Sequence, residues 1–360
     1  KMLIIRKNLK KKISHFKKHQ RYKKLIKCEV CGNKKFKIIQ NLARIGKVGD
    51  YGYLNIVICK NCSFKFVNPR FLDDFYIKYY LKKYRKIAFG FEKPTKKYLE
   101  IQKKRGEGVL NFFKNKIKKN GKMLDHGCAS GGTMIPWIKF GWEAFGFDPH
   151  IPSVDYGNRT LGLNIKKGFG EKLIFKNQEF DIVLSLGSLE HSYDVNKSLK
   201  EIYRVLKRDG HIIIRWRSNK IIGSTLEYFN HNHYRYFTRE TWKLMLNKHG
   251  FKIIQNTSKK LEKYNSYEYI FAKKIKIKKI QKLKENFVDR ELKYLSKINS
   301  RYFKLSKLAE ELKLFNKKNS LKRKKFIKDH GIKILNNLKE ESINRYFYEL
   351  KKFFYSIKSS

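Results

Sequence analysis

Short apolar runs alternate with amphipathic stretches through residues 95–273, which predicts a parallel β-sheet covered by helices. Residues 1–94 have a different texture and hold four of the five cysteines, whereas residues 274–360 are Lys-rich with a helical pattern. We therefore predict three parts: a basic leader with a small cysteine-bearing domain, a doubly wound α/β domain, and a helical tail.

Apolar residues recur every three or four positions in the tail, and this spacing predicts an amphipathic helix. They are Val288, Leu292, Leu295, Ile298, Tyr302, Leu305, Leu308, Leu312 and Phe315. A second helical stretch follows and is interrupted near Gly331. Such helices usually pack against the parent domain or a second copy of the chain. Contact of the basic face with an anionic membrane surface is the other expectation.

A glycine-rich turn joins a predicted strand to a predicted helix near the start of the α/β region. We expect residues 122–126 to form the strand, 127–132 the turn and 133–140 the helix. The next predicted strand, residues 143–147, ends in Asp148. Such a turn lets a ligand approach the backbone closely, and an acid at the tip of the second strand is placed to accept both ribose hydroxyls.

Asp125 distinguishes between two classes of cofactor. The glycine spacing also fits a degenerate dinucleotide fingerprint, so a nicotinamide cofactor is the competing interpretation. Asp125 lies two residues before Gly127, where its carboxylate would repel a pyrophosphate and attract an ammonium group. S-adenosylmethionine carries an ammonium and a sulfonium but no phosphate, so it is the favoured cofactor.

The same segments resemble class I S-adenosylmethionine-dependent methyltransferases over residues 95–273. The first motif reads Leu124-Asp125-x-Gly127-x-Ala129-x-Gly131, and residues 170–175, 180–191, 205–214 and 236–251 are similar to later segments of that family. The resemblance implies a Rossmann-like, seven-stranded doubly wound sheet. It also implies a cofactor site made of Asp125, Gly127, Ala129, Ser130, Gly131, Asp148, Pro149, Gly170, Glu171, Leu186 and Gly187.

Two residues of the cofactor region depart from the family pattern. Ala129 replaces the usual middle glycine and adds only a methyl group. Phe169 occupies the position where many members have an acid that binds the adenine amine, so that contact is expected to pass to backbone groups near Gly170. These departures keep open a second class of function, a binding module that retains the fold without turnover.

The four leader cysteines form two Cys-x-x-Cys pairs, Cys28/Cys31 and Cys59/Cys62, separated by 27 residues. Two such pairs supply the four thiolates of a tetrahedral zinc site, and the strands expected between them complete a zinc ribbon. A four-cysteine site has no open position for water, so the zinc is predicted to stabilise the fold. A redox pair would not explain the second Cys-x-x-Cys.

The segment from Cys59 to Arg70 resembles the zinc-binding leader of a methyltransferase subfamily found among sugar-modifying enzymes. That resemblance implies an acceptor such as a sugar in a nucleotide-linked or surface-glycan precursor. An RNA methyltransferase is the alternative enzyme, because a ribbon and a basic surface could hold RNA. The chain lacks an Asn-Pro-Pro-Tyr-type motif and a catalytic cysteine pair after the fourth or sixth strand, which counts against RNA.

Histidines in two loops are the candidate catalytic residues. Methyl transfer to a hydroxyl needs a group that removes a proton, and histidine suits that task near neutral pH. Residues 226–237 hold His231 and His233 among aromatic residues and resemble a segment of sugar C-methyltransferases that carries a Glu-His pair. Asn232 replaces the glutamate, which leaves O- or N-methylation open. His191, after the fourth strand, lies at the edge of the sheet where ligands bind.

Two arginines after the fifth predicted strand are candidate substrate-binding residues, together with His231. The guanidinium groups of Arg215 and Arg217 would suit a phosphate or carboxylate on the acceptor. The alternative is that both are ordinary surface cations of a basic protein.

The composition sets limits on partners and location. The 360 residues carry 85 Lys+Arg against 31 Asp+Glu, but only 17 of these cations are Arg, which favours compositional bias over a dedicated nucleic-acid site. Non-specific binding to polyanions is still expected at low salt. No apolar run is long enough for a membrane-spanning helix, and five cysteines are too few for a disulfide scaffold, so a reducing cytoplasm is the expected location.

Overall fold

The computed structural model describes residues 22–44, 51–72, 77–85, 90, 93–218, 225–230, 233–257, 267–276 and 287–298. The strands are β1 (Tyr22–Lys23), β2 (Phe36–Arg44), β3 (Tyr51–Cys59), β4 (Lys65–Val67), β5 (Arg70–Phe71), β6 (Gly121–His126), β7 (Trp142–Asp148), β8 (Asn164–Lys167), β9 (Phe180–Leu186), β10 (Leu206–Arg217), β11 (Arg235–Tyr236), β12 (Phe251–Thr257) and β13 (Tyr267–Lys274).

The helices alternate with the strands of the central region. They are α1 (Lys96–Phe113), α2 (Met134–Lys139), α3 (Ile151–Leu161), α4 (Val195–Val205), α5 (Thr225–Tyr228) and α6 (Arg239–Lys248), with shorter turns at Tyr79–Lys83, Lys114–Lys116 and Leu189–His191. Residues 287–298 are also helical and are called the tail helix below. No helix within these ranges is long and apolar enough to cross a membrane.

Seven strands form the central sheet in the order β12-β13-β10-β9-β6-β7-β8. Strands β6 to β10 run parallel to one another, and β13 is antiparallel to both β10 and β12. The strand order reverses between β6 and β9, and ligands bind at such a switch point beyond the carboxyl ends of the strands. The predicted doubly wound, seven-stranded sheet is confirmed.

Alternate residues of the central strands pack into apolar clusters on opposite faces of the sheet. Ile182 and Leu184 of β9 belong to one cluster, whereas Val183 between them belongs to the other. This arrangement follows from the two-residue period of a strand, and it requires the continuous apolar run that the sequence shows there. Helix α4 covers one face, and Asp194 caps its first turn by accepting hydrogen bonds from Asn196 N and Lys197 N.

A second sheet of four antiparallel strands, β11-β4-β3-β2, forms the ribbon. Its outer strand β11 comes from the connection between β10 and α6, so the ribbon combines the leader with a segment of the central region. Phe64 and Phe66 of the leader pack in the same cluster as Phe237 and Trp242, with the Phe64 and Phe237 ring centroids 4.8 Å apart. The leader and the central sheet therefore share one core.

The tail helix packs against the ribbon. Lys65, fully buried in β4, donates to Glu291 over 2.5 Å, and Leu295 packs with Leu54 and Tyr228 in a third apolar cluster. Packing against the parent domain is one of the three alternatives expected for this segment. The predicted tail positions after residue 298 and the basic stretch 1–21 lie outside the described residues.

Candidate cofactor and acceptor site

The turn after β6 adopts the left-handed backbone conformation at three alternate positions. Gly127, Ala129 and Gly131 have φ values of 81°, 55° and 77°. A Cβ on Gly127 would lie 2.4 Å from Cβ of Ser188, so glycine is required there for steric reasons as well. Ala129 adopts the same conformation although its methyl group makes that conformation sterically strained, so the turn keeps its shape.

Asp148 is bonded to the backbone of the turn and to the backbone that follows β7. Its Oδ2 accepts a hydrogen bond from Ala129 N at 2.7 Å, and its Oδ1 accepts one from His150 N at 2.9 Å. Arg85 Nη2 lies 3.8 Å from Oδ2. Each carboxylate oxygen has a second lone pair, so the side chain can accept two further hydrogen bonds from a diol.

Asp125 lies at the carboxyl end of β6 and is 2% exposed. Burial raises its pKa to about 7, with the charge of Arg105 acting against the rise and that of Asp148 adding to it. A cation that enters the cavity beside Asp125 would favour the ionised carboxylate.

Helix α1 contributes polar groups that the sequence reasoning did not identify. Gln102 donates to Cys128 O at 3.1 Å and accepts from Ser130 Oγ at 2.8 Å, which holds the turn from below. A Cβ on Gly106 would lie 2.3 Å from Thr133 O, so the helix and the turn are in close contact. A buried glutamine in an amphipathic helix just before the first strand is the signal that could have indicated this role.

One cavity of about 640 Å³ opens along the carboxyl ends of the strands. One part is lined by the turn with Asp125 and Asp148, and we call it the turn half. The other part, called the histidine half, is lined by Tyr80, Tyr84, Glu190, His191, Arg215, Arg217, His233 and Tyr267. The volume is in the range of cavities that hold small ligands.

The sequence-predicted site residues converge on this cavity, with a few exceptions. Those that line it are Asp125, Gly127, Ala129, Asp148, Pro149, Gly170, Glu171, Leu186, Gly187, His191, Arg215, Arg217 and His233, and Phe169 lines it as well. Ser130 is fully buried against Gln102, and Gly131 packs against Leu163 and Ile165, so these two support the turn from beneath. His231 and Asn232 lie outside the described residues.

His191 and His233 lie side by side in the histidine half. Their ring centroids are 4.3 Å apart. Asn230 Oδ1 lies 3.1 Å from His233 Nδ1, and an amide oxygen only accepts, so the proton is on Nδ1 and His233 Nε2 is the basic nitrogen. His191 Nδ1 lies 2.8 Å from the Tyr80 hydroxyl. Asn230 and Tyr80 therefore orient the two imidazoles.

Charged groups surround the two histidines. Arg215 is 4% exposed, and its guanidinium carbon lies 3.3 Å from the centre of the Tyr267 ring, so it is not an ordinary surface cation. Arg217 Nη1 donates to Tyr228 O at 3.5 Å. Burial raises the pKa of Glu190 to about 7, although a backbone hydrogen bond and the charge of Arg215 oppose the rise.

The four leader cysteines converge on one point at the base of the ribbon. Their sulfur atoms lie within 4.8 Å of one another, and Cys28–Cys62 and Cys31–Cys59 are each separated by 3.6 Å. A disulfide needs about 2.05 Å. Tetrahedral zinc with Zn–S bonds of about 2.3 Å separates its sulfurs by roughly 3.8 Å, so the four thiols fit a zinc ion.

Comparisons with known proteins agree with this arrangement. Residues 98–256 match the family model for a methyltransferase domain. The chain is 28% identical over 180 residues to the demethylmenaquinone methyltransferase of Lactobacillus johnsonii, covering 39% of this chain and 72% of that protein. It is 28% identical over 117 residues to a ubiquinone biosynthesis O-methyltransferase of Pelagibacter ubique, covering 30% and 48%.

The solved structure of the YcgJ protein of Bacillus subtilis aligns with 47% of this chain and 99% of its own, with 17% identity and a TM-score of 0.39. The chain spans less than half the length of several curated relatives that it matches. The family match covers β6, β7, β9, β10 and the turn after β6, which line the cavity, whereas Tyr80, Tyr84 and Tyr267 lie outside the matched residues. Residues 98–256 therefore match a methyltransferase domain and form most of a Rossmann-like sheet.

Proposed function

We propose that this protein transfers the methyl group of S-adenosylmethionine to a small polar acceptor, a sugar of a nucleotide-linked or surface-glycan precursor. The observation that carries the proposal is the single cavity that joins Asp148 and the turn to the His191–His233 pair. A cofactor bound in the turn half would direct its reactive end toward a group that can accept a proton.

The turn half suits each part of the cofactor. Asp148 has lone pairs for the two ribose hydroxyls, and Asp125 has a carboxylate for the ammonium group. The adenine would lie against Phe169 and the backbone of Gly170 and Glu171, which line the same cavity. Ala129 preserves the positive φ that the turn requires, which supports a functional cofactor site over a module that has lost it. Bound S-adenosylmethionine supplies an electrophilic methyl carbon.

His233 is the proposed general base. Its Nε2 would take the proton of an acceptor hydroxyl, while Asn230 holds the Nδ1 proton and stabilises the imidazolium that forms. His191 would hold the acceptor or the cofactor by a hydrogen bond without proton transfer. Arg215 and Arg217 provide charge for a phosphate on the acceptor, and the burial of Arg215 strengthens such an ion pair.

The four cysteines are proposed to bind one structural zinc ion. All four ligand positions come from the protein, so the site has no place for water or a substrate.

The first experiment is calorimetric titration with S-adenosylmethionine at about 0.3 M salt, which screens non-specific attraction. We expect one site per chain. Asp148→Ala should weaken binding by about 2–3 kcal/mol, roughly 30- to 150-fold, because a charged acceptor is lost. Asp209→Ala, at an exposed acid paired with Lys273, is the control. Absence of binding by a folded, zinc-loaded protein would favour the non-catalytic module.

The second experiment follows transfer of labelled methyl groups to nucleotide sugars. His233→Ala should lower turnover by roughly 100-fold or more without changing the affinity for S-adenosylmethionine. His211→Ala, at a histidine stacked on Phe271, is the control. Labelling of RNA in place of nucleotide sugars would contradict the acceptor assignment and leave the cofactor assignment intact.

A further inference from the structure

Three consecutive backbone carbonyls, those of residues 191–193, accept hydrogen bonds from Arg70 in β5 and from Tyr234 and Arg235 at the ribbon strand β11. The first accepts a hydrogen bond from the Tyr234 hydroxyl and the second from Arg235 Nη1. The third accepts from Arg235 Nη2 at 3.0 Å and from Arg70 Nη2 at 3.2 Å. This segment lines the histidine half of the cavity and carries His191. The position of that imidazole therefore depends on groups of the ribbon.

Both arginines are bound in turn by Glu29. Arg235 donates to Glu29 through Nε at 2.9 Å and Nη2 at 2.5 Å, and Arg70 Nη1 donates at 3.3 Å. The side chains of Arg235, Arg70 and Glu29 are 0%, 4% and 9% exposed. In a buried position, two guanidinium groups need a counterion, and Glu29 is the carboxylate that hydrogen-bonds to both of them.

Glu29 lies inside the first cysteine pair, directly after Cys28. Its backbone carbonyl accepts hydrogen bonds from Lys248 Nζ at 3.0 Å and Asn196 Nδ2 at 3.2 Å. Residues 28–31, called the knuckle below, are thus attached to the central domain through both the backbone and the side chain of Glu29. Binding of one ion by both sulfurs would fix the conformation of the two-residue link between Cys28 and Cys31.

We propose that Glu29, Arg235 and Arg70 are positioning residues that couple zinc binding in the ribbon to the histidine half of the cavity. With the knuckle closed on zinc, Glu29 holds both arginines, and they hold the carbonyls of residues 191–193. Without zinc, the two arginines are no longer held in place, and the segment that carries His191 loses them as fixed hydrogen-bond donors. The contacts of Glu29 lead through the two arginines to residues 191–193, so the coupling acts on the acceptor side of the cavity.

Glu29→Gln tests the middle step of this coupling, because it keeps the size of the side chain and removes its charge. Hydrogen exchange should become about tenfold faster or more in residues 189–194, while β6 and the turn after it stay protected. Zinc content should stay at one per chain. The matched control is Glu143→Gln, which removes an acid with 57% of its side chain exposed. Unchanged exchange in residues 189–194 of a zinc-loaded Glu29→Gln protein would overturn the proposal.

Zinc removal from the unaltered chain gives a second test that does not require a variant to fold. Chelation should accelerate exchange in residues 189–194 together with the ribbon, and added zinc should restore protection. The ring signals of His191 in the nitrogen–proton spectrum should shift in the same steps. Retained protection of residues 189–194 after complete loss of zinc would contradict the coupling. Both readouts are independent of turnover, so they are separate from the test of the proposed function.

Discussion

Ala129 adopts a backbone conformation that favours glycine, with φ at 55°. The left-handed region costs a non-glycine residue about 1–2 kcal/mol, and at this position the conformation also directs the amide of Ala129 toward Asp148. The strain is therefore part of the structure that presents the turn to a ligand.

Ala129→Gly should raise the free energy of unfolding by about 0.5–1 kcal/mol. The glycine removes the left-handed strain, and its larger entropy in the unfolded chain offsets part of the gain. Urea denaturation measures the change. Ala144→Gly, at a buried strand residue without a positive φ, is the control and should lower stability. A loss of stability in Ala129→Gly would contradict this account.

Asp125 predicts a pH dependence of cofactor binding. Burial raises its pKa to about 7, and an ammonium group beside the carboxylate favours the ionised form. Affinity for S-adenosylmethionine should therefore fall as the pH decreases from about 7.5 to 6. Below its pKa the Asp125 carboxyl is mostly protonated, and it must lose that proton before it can pair with the ammonium group.

Calorimetry across that pH range tests the assignment. Asp125→Asn should bind more weakly and should lose most of the slope, since the amide does not titrate. Arg105 and Asp148 also face the carboxyl, and burial raises the pKa of Glu190 in the histidine half to about 7 as well. A slope that persists in Asp125→Asn would assign the pH dependence to another group.

At the scale of elements, β11 connects two parts of the chain that are distant in sequence. Arg235 pairs with Phe66 and Tyr236 with Lys65, although about 170 residues separate the partners. Side chains at β11 contact the loop that carries His191, so the proposed zinc site would affect both folding and the cavity wall.

Zinc should be present at one ion per chain and should depend on the four converging cysteines. Cys59→Ser should lose the metal and destabilise the ribbon, because a hydroxyl is a poor replacement for a thiolate ligand. Cys128→Ser is the matched control, since Cys128 is equally buried but lies in the turn after β6. Metal analysis after dialysis provides the measurement, and full zinc content in Cys59→Ser would contradict the four-cysteine site.

At the scale of the whole molecule, two parts of the chain pack against the ribbon, namely the tail helix and the central domain. The tail helix adds Glu291 and Leu295 to one side, and the central domain adds Phe237 and Trp242 to the other. Lys65 is fully buried, and its ammonium group is paired with the carboxylate of Glu291.

Glu291→Gln should lower the free energy of unfolding by about 3 kcal/mol or more, because it leaves a buried ammonium group without its counterion. Replacing both partners, Lys65→Met with Glu291→Leu, should recover most of that loss. Glu100→Gln provides the comparison, since Glu100 forms an exposed pair with Lys103 and its loss should leave stability unchanged. If Glu291→Gln changed the free energy of unfolding as little as Glu100→Gln, the burial of this pair would be contradicted.

Local patterns were sufficient for much of the fold and for one half of the site. Short apolar runs between amphipathic stretches predicted the parallel sheet and its helices, because a strand buried on both faces needs a continuous apolar run. The number of seven strands came from the resemblance to methyltransferases. The turn could be placed because glycines mark the positions that need a positive φ. The position of Asp148 could be predicted because one strand–helix–strand unit has a nearly constant length. Cysteine spacing indicated the metal cluster because the chelating geometry is itself local.

The remaining features depended on contacts between distant parts of the chain. Gln102 reaches the turn from the preceding helix, Asn230 orients His233, and Glu29 binds Arg235 across 206 residues. Sequence periodicity determines which face of an element is buried, and this sequence by itself therefore determined the strands, the turn and the cysteine pairs. Only the tertiary structure decided which buried polar groups meet, because their partners are brought together by the closure of the whole topology.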